Sequence, residues 1–298
     1  MEVRRLLISL ILVGMILLSS PAYANMIRVV TTFSILEDFV QQVGGEKVEV
    51  SSLIPRGVDP HTWESTPKEV RLVAQADLLV ANGGGFDDWL LPLVKNAAKP
   101  EADLIIASQG LEAIEHDHDH GHSHHHAGDP HFWLSVPNAI SYVHQIAQAL
   151  VSLAPGDAAY FEERTNTYIE ELVELDRWMV DALDGISAAN RIIVTYHNAF
   201  SYLAEQYGFE VAEFLVANPD SEPSPRDLAR LINLLQRNGR RAVFTEPQLA
   251  SGTRYMQTLV DEVGGELFVL YSDSLSKEIS TYVEMMKHNT YTLLEALE

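Results

Sequence analysis

Short, mostly continuous apolar runs alternate along the chain with stretches of helical apolar spacing, the order expected of a parallel sheet whose strands are covered on both faces. In the first half, Ile27 to Thr32, Val48 to Ile54, Asp77 to Ala81 and Asp103 to Ala107 read as strands. Helices fall between them. Ser34 to Val43 closes on Gly44 and Gly45, and Thr66-Pro67-Lys68-Glu69 supplies a capping threonine, a first-turn proline and a glutamate three residues on. The second half repeats this order, with strands predicted at Arg191 to Tyr196, Glu210 to Val216, Ala242 to Thr245 and Leu267 to Tyr271. There Ser224-Pro225-Arg226-Asp227 opens a helix much as the Thr66 segment does. Val43-Gly44-Gly45-Glu46 and Val263-Gly264-Gly265-Glu266 each join a helix to a strand, a further sign of repetition. The pattern predicts an α/β fold of two similar lobes, each a four-stranded, mainly parallel sheet flanked by helices.

Between the lobes, Ala158 to Leu183 contains neither Gly nor Pro and reads as one helix, about 39 Å long at 1.5 Å per residue. Pro155-Gly156-Asp157 starts it and Asp184-Gly185 stops it. The expected organisation is therefore a first lobe over 25–154, a linker helix over 155–185 that limits lobe-to-lobe motion, and a second lobe over 186–298.

The N-terminus has a different pattern. Arg4 and Arg5 precede an apolar run from Leu6 to Leu18, then Ser-Ser-Pro and Ala22-Tyr23-Ala24, which together read as a secretory signal over 1–24 cleaved after Ala24. That run is too short for a comfortable membrane span, and no later segment approaches the ~20 apolar residues a spanning helix needs. Without any cysteine there is neither a disulfide nor a lipid-bearing cysteine. A soluble periplasmic monomer is expected, associated with the membrane only through a partner. The net charge of −22 over 298 residues argues against nucleic acid and anionic membrane surfaces as partners and biases the surface toward cations without identifying one.

One stretch sharpens that bias. From His116 to His126, HDHDHGHSHHH holds seven histidines, His116, His118, His120, His122, His124, His125 and His126, together with two aspartates. No core can partner so many imidazoles, and the composition suits zinc, copper or nickel better than magnesium or calcium. Ligands in parallel α/β sheets sit beyond the carboxyl ends of the strands, so the polar residues there carry more information. His61 follows the second strand in Asp59-Pro60-His61, His131 follows the fourth in Asp129-Pro130-His131-Phe132-Trp133, His197 ends the fifth and Asp273 ends the eighth. Three neutral imidazoles and a carboxylate, two residues from each lobe, would make a four-coordinate interlobe metal site. His144 and His288 fall in helical patterns and read as surface residues.

Val58-Asp59-Pro60-His61, the Asp129 to Trp133 segment after a histidine-rich loop, Tyr196-His197-Asn198-Ala199-Phe200, Phe244-Thr245-Glu246-Pro247-Gln248 and Tyr271-Ser272-Asp273-Ser274-Leu275 occur in one order along the mature chain. In these motifs the chain resembles the zinc/manganese solute-binding proteins of ABC transporters, their periplasmic zinc-binding branch above all. The resemblance implies two α/β lobes joined by a long helix, a transported metal at their interface, and delivery to a membrane permease driven by its ATPase. It carries His61, His131 and His197 over as ligands, with Asp273 as the acidic fourth. Pro60 stands where some zinc members have an acidic residue, which favours Asp273, with water as the alternative. Glu246 matches a position near the site and is expected to act through a histidine N–H.

An imidazole-rich, four-coordinate set suits Zn²⁺, whereas Mn²⁺ prefers more oxygen and higher coordination. A glutamate at the position of His197 would point to manganese. A manganese- or iron-binding protein of the same family is the alternative cargo reading, and a metal-buffering or adhesive protein shares the fold. A zinc hydrolase needs an open coordination position for water, and the chain has neither a His-Glu-x-x-His nor a Gly-x-Ser-x-Gly motif, so no enzyme is expected.

Overall fold

The computed structural model describes residues 26–115, 128–216, 219, 221–238 and 241–298. The predicted signal over 1–24 and the histidine run over 116–126 lie outside them.

Eight strands form two sheets of four, and every pairing is parallel. The first contains β1 (Ile27–Thr31), β2 (Val48–Ser52), β3 (Leu78–Ala81) and β4 (Asp103–Ile106) in the order β2-β1-β3-β4. The second contains β5 (Ile192–His197), β6 (Glu210–Val216), β7 (Ala242–Thr245) and β8 (Glu266–Val269) in the order β6-β5-β7-β8. The two orders are the same permutation, so the predicted repetition is present in the topology as well as in the motifs. Two central strands are buried along nearly their whole length, β3 at every residue and β5 at all but its first. Edge strands β4 and β8 remain partly exposed. Predicted strand limits ran up to two residues long at β2 and β8, because Leu53, Ile54, Leu270 and Tyr271 are buried loop residues beyond the ladder, where apolar content mimics a strand.

Nine helices cover the sheets among the described residues: α1 (Ser34–Gly44), α2 (Pro67–Gln75), α3 (Leu90–Ala97), α4 (Val136–Leu153), α5 (Ala158–Leu183), α6 (Ser201–Tyr207), α7 (Pro225–Asn238), α8 (Ala250–Val263) and α9 (Tyr282–Leu297). Thr66 and Glu69 cap α2 reciprocally, as their spacing predicts, and Thr281 with Glu284 does the same for α9. None of these helices is long and apolar enough to cross a membrane.

The predicted long helix is one unbroken element, α5, of 26 residues. Its buried stripe runs Phe161, Thr165, Tyr168, Leu172, Leu175, Met179, Leu183, steps of three or four that keep one side of the helix inward. Near its start the Arg164 guanidinium donates to the Gln42 carbonyl at 2.9 Å and the Tyr160 hydroxyl accepts the Glu46 amide at 3.2 Å. At its end Arg191 donates to the carbonyls of Leu183, Ile186 and Tyr207 at 2.8 to 3.0 Å, joining the helix to the second lobe. The lobes also share a core. Phe39, Trp133 and Tyr142 of the first lobe, Phe161 of α5, and Phe200, Leu270 and Tyr282 of the second lobe belong to one apolar cluster, while Val194, Leu235, Val243 and Leu259 form a separate cluster under α7 and α8.

Candidate metal centre

The carboxyl ends of the two sheets face each other, and the four predicted side chains reach the junction from four separate segments. His61 stands in the loop after β2, His131 just before the 3-10 turn Phe132–Leu134, His197 at the last residue of β5, and Asp273 in the loop beyond β8. The repeated Asp-Pro-His has one local cause. In each copy the aspartate Oδ1 accepts the backbone N–H of the histidine two residues on, at 3.0 Å for Asp59 and His61 and 2.9 Å for Asp129 and His131. That turn fixes the peptide from which the imidazole projects. Asp59 also accepts the Thr62 hydroxyl at 3.0 Å.

One ligand-type atom from each of His61, His131, His197 and Asp273 lies within 4.8 Å of the others. Asp273 Oδ2 is 3.5 Å from His61 Nε2 and 3.4 Å from His197 Nε2, while Oδ1 is 3.5 Å from His131 Nε2. All five of these atoms are buried, and none has a hydrogen-bond partner. An unsatisfied buried polar atom costs about 1–3 kcal/mol, more when charged, and proteins rarely leave five together. A cation at their centre satisfies every one of them.

The outer ring nitrogens have partners of the opposite kind. Asp129 Oδ1 lies 2.7 Å from His131 Nδ1, and Glu246 Oε2 meets His197 Nδ1. A carboxylate accepting the Nδ1 proton leaves the Nε2 lone pair facing inward, the tautomer that binds metal. The Asp129 carbonyl in turn accepts the Tyr202 hydroxyl of the second lobe at 2.7 Å. Phe86 packs edge-on against His61, with centroids 5.1 Å apart, and against His131, at 5.9 Å. Of the four residues only His61 touches solvent appreciably, its side chain being 12% exposed against 0 to 3% for the rest.

The charges are strongly coupled. Burial alone would push the Asp273 carboxyl up, but His131 and His197 beside it prevail and hold it well below the usual carboxylate range. Burial would likewise lower His197, yet the Glu246 and Asp273 carboxylates raise it well above the ordinary imidazole value. Burial raises Asp59 at the edge of the centre.

The structure thus brings together all four residues singled out in the sequence, with Glu246 on His197 as expected. It places Asp273 past the strand rather than on its last residue, because β8 stops at Val269. His144 is exposed, as read. The surface reading of His288 needs correction: it is half-buried, its Nε2 3.1 Å from the Val269 carbonyl and its ring edge-on to Tyr271 at 5.1 Å, because α9 packs against β8 there. Sequence reasoning assigned no role to Asp129, although its place in the repeated Asp-Pro-His was a usable signal. Phe86 and Ser272 carried no signal of their own.

Comparison with known proteins agrees with this geometry. Residues 29–296 match the family model "Zinc-uptake complex component A periplasmic" (ZnuA). The manganese-binding lipoprotein MntA of Halalkalibacterium halodurans is 31% identical, over 91% of this chain and 88% of that protein. The high-affinity zinc uptake system protein ZnuA of Bacillus subtilis is 34% identical, over 94% and 90%. Among solved structures, the Mn-bound periplasmic metal binding protein of Candidatus Liberibacter asiaticus superposes with a TM-score of 0.79 at 25% identity, covering 91% of this chain and all of that one. With the fold, the convergent ligands and these matches together, the chain belongs to the ZnuA family of metal substrate-binding proteins, which bind a divalent metal for an ABC transporter's permease and ATPase and are not enzymes.

Proposed function

We propose that the chain captures Zn²⁺ through His61, His131, His197 and Asp273 and hands it to the permease, with Glu246 and Asp129 holding two of the imidazoles. The observation that carries this reading is the convergence of three unpartnered, buried Nε2 atoms on one carboxylate. Three nitrogens and one oxygen in a closed shell match the tetrahedral preference of zinc, and a donor set made mostly of borderline imidazole nitrogens disfavours Mn²⁺ relative to Zn²⁺. Neutral imidazoles set by outer carboxylates are the usual support of such a centre.

Manganese is the second reading, and a specific feature favours it. Both Asp273 oxygens point inward, so a bidentate carboxylate would raise the oxygen count and the coordination number toward those Mn²⁺ prefers. The names of the H. halodurans relative and the C. Liberibacter structure refer to manganese, whereas that of the B. subtilis relative refers to zinc.

Protein purified without metal-affinity resin, then examined by native mass spectrometry with elemental analysis, gives cargo and stoichiometry together. One zinc per chain, not displaced by a hundredfold excess of Mn²⁺ under a competing chelator, is the expected result. Displacement by equimolar Mn²⁺ overturns the zinc assignment.

The same reading places the mature chain in the periplasm after loss of residues 1–24, with lobes over 25–154 and 186–298 on either side of 155–185. It makes the histidines of the 116–126 run weaker, auxiliary zinc ligands. Intact mass of the exported protein, expected to begin at Asn25, tests the cleavage.

A further inference from the structure

Ser272 is fully buried and makes hydrogen bonds in three directions. Its hydroxyl donates to Glu246 Oε2 at 3.2 Å and accepts the side-chain N–H of Gln248 at 2.8 Å, while its carbonyl accepts the Trp133 indole N–H at 2.8 Å. Two of these directions, and the chain itself, lead to different members of the metal centre. Glu246 contacts His197 Nδ1, the Trp133 ring lies edge-on to His131 with centroids 5.4 Å apart, and the next residue in the chain is Asp273.

A serine hydroxyl has one proton to give and two lone pairs to receive with. The Gln248 N–H occupies one lone pair, which turns the single hydroxyl proton toward Glu246. Apart from His197, Ser272 is the only group among the described residues that bonds the Glu246 carboxylate, since Oε1 is buried without a partner. The Glu246 rotamer, and with it the tautomer and tilt of the His197 ring, therefore depends on this hydroxyl. The Trp133 bond fixes the Ser272 peptide against the first lobe, so Asp273 is referenced to the His131 side of the junction and, through Glu246, to His197.

We infer that Ser272, oriented by Gln248, is a positioning residue that registers His131, His197 and Asp273 against one another. The inference rests on those three residues binding the metal. Loss of a group that holds a ligand typically costs about 10–100-fold in metal affinity, and residues acting as one unit are not additive.

The test measures zinc affinity by chelator competition for Ser272→Ala, Gln248→Ala, Glu246→Gln and the Glu246→Gln/Ser272→Ala double variant, with the apo melting temperature followed alongside. Ser272→Ala is expected to weaken zinc about 10–100-fold, Gln248→Ala in the same direction by less, and the double variant no more than Glu246→Gln alone. In zinc-loaded protein the His197 Nδ1–H proton resonance, carried downfield by Glu246, should move upfield in Ser272→Ala. A serine that merely supports the fold would lower the melting temperature and leave both the resonance and the additivity unchanged. Wild-type affinity in Ser272→Ala and Gln248→Ala, with affinity lost in His197→Ala, overturns the inference alone. Wild-type affinity in His197→Ala as well overturns the metal-centre reading beneath it. If Ser272→Ala fails to fold, Gln248→Ala, at a half-buried position, decides the question in the same assay.

Discussion

In the proposed centre each imidazole supplies one of only four ligand groups, and the other carboxylates beside it are already engaged, Asp129 and Glu246 on the outer nitrogens and Asp59 on the His61 amide and the Thr62 hydroxyl. His61→Ala, His131→Ala or His197→Ala should therefore weaken zinc binding by more than the roughly 100-fold upper range for loss of an outer partner. The fold should survive, because the apo lobes have their own cores. Titration calorimetry with a competing chelator checks this, and unchanged affinity in any one variant removes that residue from the site. Proton linkage follows from the same contacts. His197 without metal keeps its proton above the ordinary imidazole value of about 6.5. Zinc must displace that proton, so affinity falls as pH falls, and the fall begins above pH 6.5. A proton should be released on binding near pH 7, measurable as a buffer-dependent heat of binding. The apo fold responds in the opposite sense to this group: a raised histidine adds stability at low pH that disappears as pH rises through its folded value. Asp273, held low, adds stability above the ordinary carboxylate range that disappears only as pH falls through its depressed value.

A helix with one continuous buried stripe behaves as a strut when its ends are fastened, and α5 is fastened at both. The Arg191 guanidinium is the clearest case, since its donors meet the carbonyls of Leu183 and Ile186 at and just beyond the C-terminal end of the helix, where the macrodipole also favours a cation, and the carbonyl of Tyr207 at the end of α6. Arg191→Ala should lose about 2–4 kcal/mol of unfolding free energy, because charged hydrogen bonds contribute about 1.5–3 kcal/mol each and water recovers part of the loss. Chemical denaturation measures this, and zinc affinity should remain within about twofold of wild type, since no ligand is built on α5. The sequence was sufficient for this helix because 26 residues without Gly or Pro, bounded by Pro155-Gly156-Asp157 and Asp184-Gly185, leave nothing to break it. It was insufficient for the ends of β2 and β8, where buried loop residues are as apolar as strand residues.

At the scale of the whole molecule, the two sheets close on a common core and place the candidate metal centre at their junction, buried except at His61. The described residues on either side of the histidine run are tied together. The Asp129 amide donates to the Ile114 carbonyl at 2.9 Å, and the Tyr202 hydroxyl accepts the Ile114 amide at 3.1 Å. Because these bonds lie outside the run, deleting residues 116–126 and rejoining the ends should leave the tight centre nearly unchanged while abolishing additional, weaker zinc binding. Ligands placed in advance by strands and loops bind without the ordering entropy that a histidine-rich segment must lose around a metal. Zinc titration of wild type and deletion under a chelator separates the two classes. Loss of the tightest site on deletion would show that the run supplies primary ligands and would remove Asp273 from the shell.

The apolar pattern determined the α/β class, because burial on one face or two imposes a spacing that survives in the order of residues, while recurring cap and turn motifs marked the repetition of the lobes and the lack of Gly and Pro marked the unbroken α5. Residue type and strand-end position also singled out His61, His131, His197 and Asp273, since parallel sheets open their ligand sites at one end only. What the tertiary structure decided was the set of contacts between residues remote in the chain. Phe86 needed its packing on two imidazoles, and Ser272 its three bonds to Glu246, Gln248 and Trp133. No local pattern encodes such partners, because a hydrogen bond across 139 residues, as between Trp133 and Ser272, leaves no period in the sequence. The same holds for the exposure of His61 and the burial of His288, which depend on what packs against a residue and not on its neighbours along the chain.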